Sequence, residues 1–121
     1  MANASTDRRS MVLAWAFARL DVTAFAAANA AIFAAALLTL TLALVAKGAP
    51  PGVPVGPHLA VLSAYFPGYA VTWSGAFIGA AYAGFVGAAC GAAVAVFWNI
   101  AHRLLLAVIR FRANLASYSI D

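Results

Sequence analysis

Charge is what this chain has least of. Its 121 residues hold seven basic and three acidic side chains, with no glutamate, and no charged residue stands between Val22 and Ala46 or between Val71 and Ile100. Cysteine is nearly absent: the one thiol, Cys90, excludes an internal disulfide, and among glycines and alanines in the second uncharged run it reads as a small buried side chain. The two histidines, His58 and His102, stand far apart with no cysteine or carboxylate spaced to join them. Paired carboxylates, a Cys-His couple, a phosphate-cradling glycine loop and the HExxH spacing are all missing. The expectation is therefore a protein that is not an enzyme, with no catalytic residue, no metal and no cofactor. The arginines come singly or in pairs rather than in a basic stripe interleaved with aromatics, so no nucleic-acid partner is expected.

What the chain has in abundance is long apolar sequence, 66% hydrophobic residues overall. The two uncharged runs are 25 and 30 residues long, about 37 and 45 Å as helix, and either would cross a hydrocarbon core of about 30 Å. A soluble domain this small would have mostly surface to cover and could not hide both. The fold class expected is an all-α membrane protein, a two-transmembrane helical hairpin with interfacial terminal helices. Its segments are a cytoplasmic interfacial stretch at 1–21, a first span at 22–46, an outer Pro/Gly-rich loop with a short interfacial helix at 47–70, a second span at 71–100, and a cytoplasmic amphipathic tail at 101–121. Arg8, Arg9 and Arg19 precede the first span, Arg103, Arg110 and Arg112 follow the second, and only Lys47 lies between. An excess of basic residues marks the cytoplasmic side, so both termini are placed there. The first run is of span length and follows Arg19 and Asp21, which reads as an uncleaved insertion signal rather than a cleaved leader.

Within the first span the polar side chains are Thr23, Asn29, Thr39 and Thr41. Threonine returns its hydroxyl to a carbonyl three or four residues back, but the Asn29 amide has more groups than its own helix satisfies, so a partner on a neighbouring helix is expected. Lys47-Gly48 reads as a helix end with glycine in the left-handed position. Pro50, Pro51, Pro54 and Pro57 then fix a non-helical crossing, a short helix runs from His58 to about Phe66, and Pro67-Gly68 forms a type II turn. Trp15, Tyr65, Phe66, Tyr69, Trp73 and Trp98, with Arg103, Arg110 and Arg112, are the expected interfacial anchors.

The second span carries a row of small residues at every fourth position: Gly75, Gly79, Ala83, Gly87, Gly91 and Ala95, with Ala76, Ala80, Gly84, Ala88 and Ala92 beside it. Small side chains let another backbone approach, and close packing is what binds helices in lipid. This row and Asn29 are the candidate helix-packing site. Ala24, Ala28, Ala31 and Ala35 are the matching row on the first helix, and leucine at Ala30 or Ala36 is expected to matter less than leucine at Gly79 or Gly87. In the tail, Leu104, Leu105, Leu106, Val108, Ile109, Phe111 and Leu115 alternate with Arg103, Arg110 and Asn114, a pattern for a helix in the interface, where anionic lipid would favour the arginines.

The run Tyr65-Phe66-Pro67-Gly68-Tyr69-Ala70-Val71-Thr72, followed by Gly75, Ile78-Gly79, Tyr82, Gly84-Phe85, Gly87, Gly91 and Asn99, resembles a largely uncharacterised family of small two-span bacterial membrane proteins, some labelled holin-like. The likeness covers about residues 57–103; Trp98 stands where a tyrosine would be expected before Asn99. It implies a shared hairpin and turn in a bacterial inner membrane and no catalytic residue. The leading expectation is a non-catalytic accessory or scaffold subunit whose Gly/Ala face packs on a membrane protein partner or on itself, with lipid around it. The alternative is a holin-like or channel-like permeabilising homo-oligomer, weakened by the absence of a polar stripe along either span. A flat glycine face also suits a pigment or quinone, but no residue supports either.

Overall fold

A computed structural model describes residues 7–13 and 18–118. All regular structure among these residues is helical. Residues 7–13 are helical, and α1 (Val22–Lys47), α2 (Pro57–Ala60), a 3-10 turn (Val61–Ala64) and α3 (Trp73–Tyr118) follow. α1 and α3, at 26 and 46 residues, are both long and apolar enough to cross a membrane.

Local chemistry sets the ends. α1 holds no glycine or proline and stops at Gly48, whose φ of 70° and N–H bond to the Leu44 carbonyl at 3.0 Å make a left-handed C-terminal cap. The Val53 N–H reaches the Pro50 carbonyl at 3.1 Å across Pro51 and Gly52 (φ 85°), a proline-glycine turn. Pro57 opens α2, which needs no amide there. The helix expected from His58 to about Phe66 is instead one α-turn tightened into the 3-10 turn. Phe66 to Tyr69 closes the expected turn, with Gly68 at φ 82° and the Tyr69 N–H bonded to the Phe66 carbonyl at 3.0 Å.

α3 begins at Trp73 rather than Val71 because the Thr72 hydroxyl accepts the Gly75 N–H at 3.0 Å, fixing Thr72 as the N-terminal cap. It also runs far beyond Ile100. Span and tail are thus parts of one continuous helix, with no proline anywhere between Trp73 and Tyr118.

The chain divides into two compact units, Val22–Ala93 and a second made of both chain ends, Met1–Asp21 with Val94–Asp121. In the first, α3 runs antiparallel to α1: passing along α3 from Gly79 through Gly84 and Gly87 to Gly91, the α1 neighbours fall from Leu37 through Ala34 to Phe25. In the second, the Asn99 side-chain amide pairs with the Leu20 backbone, Oδ1 accepting the Leu20 N–H and Nδ2 donating to the Leu20 carbonyl, both at 2.9 Å.

Candidate functional site

The fourth-residue row of α3 is the buried face of that helix. Gly75, Gly79, Ala83, Gly87 and Gly91 are buried in the 22–93 unit, and Ala95, in the other unit, is buried as well. Ala76 is buried, and Ala80, Gly84, Ala88 and Ala92 are half-buried. A methyl group built on Gly87 would stand 2.6 Å from the Asn29 carbonyl oxygen and 2.8 Å from the Phe33 Cβ; on Gly91 it would stand 2.9 Å from the Asn29 Cβ. Real side chains do not approach so closely, so glycine is what permits this spacing. At Gly84 the same methyl would meet Ala34 Cβ at 3.5 Å, an ordinary contact.

From Gly84 to Gly91 the occupant of this face is α1 of the same chain, with Leu37 also reaching Gly79, and the α1 row differs from the expected one. Ala24, Ala28, Ala31 and Ala35 are exposed. The half-buried residues are Ala26, Ala30, Ala34 and Leu38 on one ridge, with Phe25, Asn29 and Leu37 on the next, which ends at buried Thr41. Both helices thus meet through fourth-residue ridges. Ala30, where leucine is expected to matter less than at Gly79 or Gly87, lies in the contact: its carbonyl oxygen would be 3.6 Å from a methyl on Gly84, whereas Ala36 is exposed. Alanine rows recur on several faces of so alanine-rich a helix, and size alone does not separate them.

Asn29 also departs from expectation. Its Nδ2 donates to the Phe25 carbonyl at 2.9 Å, within its own helix, while its side chain lies against the Gly91 position. The short side chain reaches the carbonyl one turn back, which satisfies that donor without a bond to another helix.

Tyr69 was expected among the interfacial anchors. It is instead 3% exposed, with its ring over Gly79, where a methyl would be 2.5 Å from Cε2, and its hydroxyl 2.9 Å from that of Thr41. Phe66 is half-buried and stacks on Tyr82 with centroids 5.1 Å apart. Tyr65, Trp73, Trp98, Arg103, Arg110 and Arg112 are exposed, and Trp15 lies outside the described residues. Cys90, read as buried, is exposed, one position beyond the small-residue rows. Among the described residues no buried side-chain nitrogen or oxygen lacks a hydrogen-bond partner, and no three histidine, cysteine or acidic side chains gather to hold a metal.

Thr41 and Asn99 were not singled out as pairing residues from the sequence. Each makes its bond to a residue distant in the chain, Tyr69 and Leu20 respectively, and no local spacing signals it. No protein-family model, no curated protein and no solved structure matches the chain. The resemblance to two-span bacterial proteins rests on the residues quoted for it.

Proposed function

We propose that the chain is a two-span protein of a bacterial inner membrane, both termini cytoplasmic, serving as a non-catalytic accessory or scaffold subunit. The observation that carries the reading is where the apolar bulk points. In the most apolar window of α1 only 11% of residues are buried inside the protein, and in that of α3 only 6%. Trp73, Phe77 and Phe85 are 61%, 65% and 77% exposed. Burying a large apolar side chain is worth about 1.5–3 kcal/mol in water, so a core helix of a soluble protein would be arranged the other way round. In hydrocarbon that cost disappears, and small residues inside with large ones outside is the arrangement that packing in lipid favours.

Because α1 occupies the glycine row, a partner meets the bulkier outer ridge of Trp73, Phe77 and Phe85 rather than the small-residue face. Resistance to alkaline carbonate extraction and one-sided labelling of cysteines placed at Val53 and Ser117 test insertion and orientation. A photo-crosslinking residue at Phe85, used in native membranes, tests the partner. A discrete protein adduct supports the accessory reading, and adducts to lipid alone would overturn it.

The permeabilising alternative drew its motive from the same glycine face as a surface for self-association, together with the holin-like label of the family the chain resembles. With α1 against that face in the 22–93 unit, no observation on the described residues favours it.

A further inference from the structure

The two ends of the chain, read separately from the sequence, belong to one compact unit. That unit pools six of the seven basic side chains, Arg8, Arg9, Arg19, Arg103, Arg110 and Arg112; Lys47 alone lies in the other. The six arginines are exposed. Asp7 and Asp21 share the unit, and so does half-buried His102, but α3 itself bears no acidic residue. The unit also exposes Met11, Val12 and Leu13 from one end, and Leu104, Val108, Phe111 and Leu115 from the other. The Asn99 amide, bonded twice to the Leu20 backbone, ties the ends together.

We infer that this unit is a composite binding surface for anionic phospholipid headgroups, assembled from both chain ends and held by Asn99. The inference rests on the membrane reading above. Apolar side chains enter the acyl boundary while guanidinium groups stay at phosphate level, where an anionic surface attracts each of them. A second copy of the chain suits the surface less well, because it would bring the same excess of arginine against itself. Arginine pairs with the phosphodiester through two parallel N–H bonds, which a neutral zwitterionic surface offers without net attraction.

The test uses the full chain in bilayers holding trace spin-labelled phosphatidylglycerol or phosphatidylcholine, comparing the immobilised fraction of each. The expected result is a preference for phosphatidylglycerol of more than about twofold, screened away between about 0.02 and 0.5 M salt. Arg8→Gln with Arg9→Gln should lower the preference, and so should Arg103→Gln with Arg110→Gln and Arg112→Gln. Asn99→Leu should lower it with every arginine in place; Asn99→Ser, which is neutral and too short to bond both Leu20 groups, substitutes if the leucine variant does not insert. Equal retention of the two lipids overturns the inference, as does a preference carried wholly by one set of arginines or unchanged by the loss of Asn99. Carbonate extraction on the same samples separates the readings: failure to insert counts against the membrane reading, whereas insertion without lipid preference counts against this one alone.

Discussion

At the scale of single residues, the spacing around each glycine turns a general packing argument into one that discriminates between neighbours. Gly87 faces the Asn29 backbone carbonyl and Gly84 faces only a methyl at contact distance. Gly87→Ala is therefore expected to destabilise the helix pair by about 1–3 kcal/mol through overpacking. Gly84→Ala should be neutral or stabilising by up to about 1 kcal/mol, since alanine is the better helix former. Equilibrium unfolding in mixed micelles, followed by a fluorophore pair on α1 and α3, reads both; equal effects would mean the close approach at Gly87 is not real. Leucine in place of Ala30 should cost more than leucine in place of Ala36, two positions that residue size alone does not separate. Tyr69→Phe removes one buried hydroxyl pair. Its cost is expected near the low end of about 0.5–1.5 kcal/mol, because the Thr41 hydroxyl can turn to a carbonyl of its own helix, while Tyr69→Ala should cost several times more by emptying the space over Gly79. Unfolding midpoints of the two variants, measured side by side, check the ratio.

At the scale of elements, helix ends are decided by residues whose effect is local. Gly48 has φ 70° and open space where a side chain would stand. Gly48→Ala therefore isolates backbone strain from packing, and is expected to cost about 1–2 kcal/mol. Thermal unfolding of this variant beside one at exposed Ala49 would check it, and a cost no greater than at Ala49 would mean that the cap contributes nothing. The same logic explains α3. A helix continues until something stops it, and after Gly91 neither glycine nor proline appears before Tyr118. Arg103, where uncharged sequence gives way to arginine-bearing sequence, lies inside α3, which is helical on both sides of it.

For the whole molecule, exposure and surroundings become separable through the lone thiol. Cys90 is on the surface of the protein, yet the membrane reading places that surface in hydrocarbon. A water-soluble maleimide should then label Cys90 far more slowly than a cysteine introduced at Val53 in the loop, because a polar reagent does not enter the hydrocarbon around α3. Detergent denaturation should bring the two rates together. Comparable rates in intact membranes would place α3 in water and remove the basis for spanning helices.

Several features were legible in the chain itself because they depend on few neighbours. Two helices long and apolar enough to span, the stop at Gly48, the proline-glycine turn before Tyr69 and the small-residue face of α3 all follow from residue type and spacing, through backbone conformation and side-chain size. What covers that face did not follow. Several alanine rows on α1 satisfy size equally, and only packing selected the ridges through Asn29 and Ala30 over the row through Ala28 and Ala31. Tyr69 shows the same limit: an aromatic residue beside a turn suits an interface or a pocket, and the pocket exists only once Gly79 and Thr41 are brought to it. The Asn99 tie to Leu20 spans 79 positions, so no local periodicity encodes it. Periodicity determines which face of a helix is small; the competition among many near-equal contacts, resolved only by fitting all of them at once, determines what that face meets.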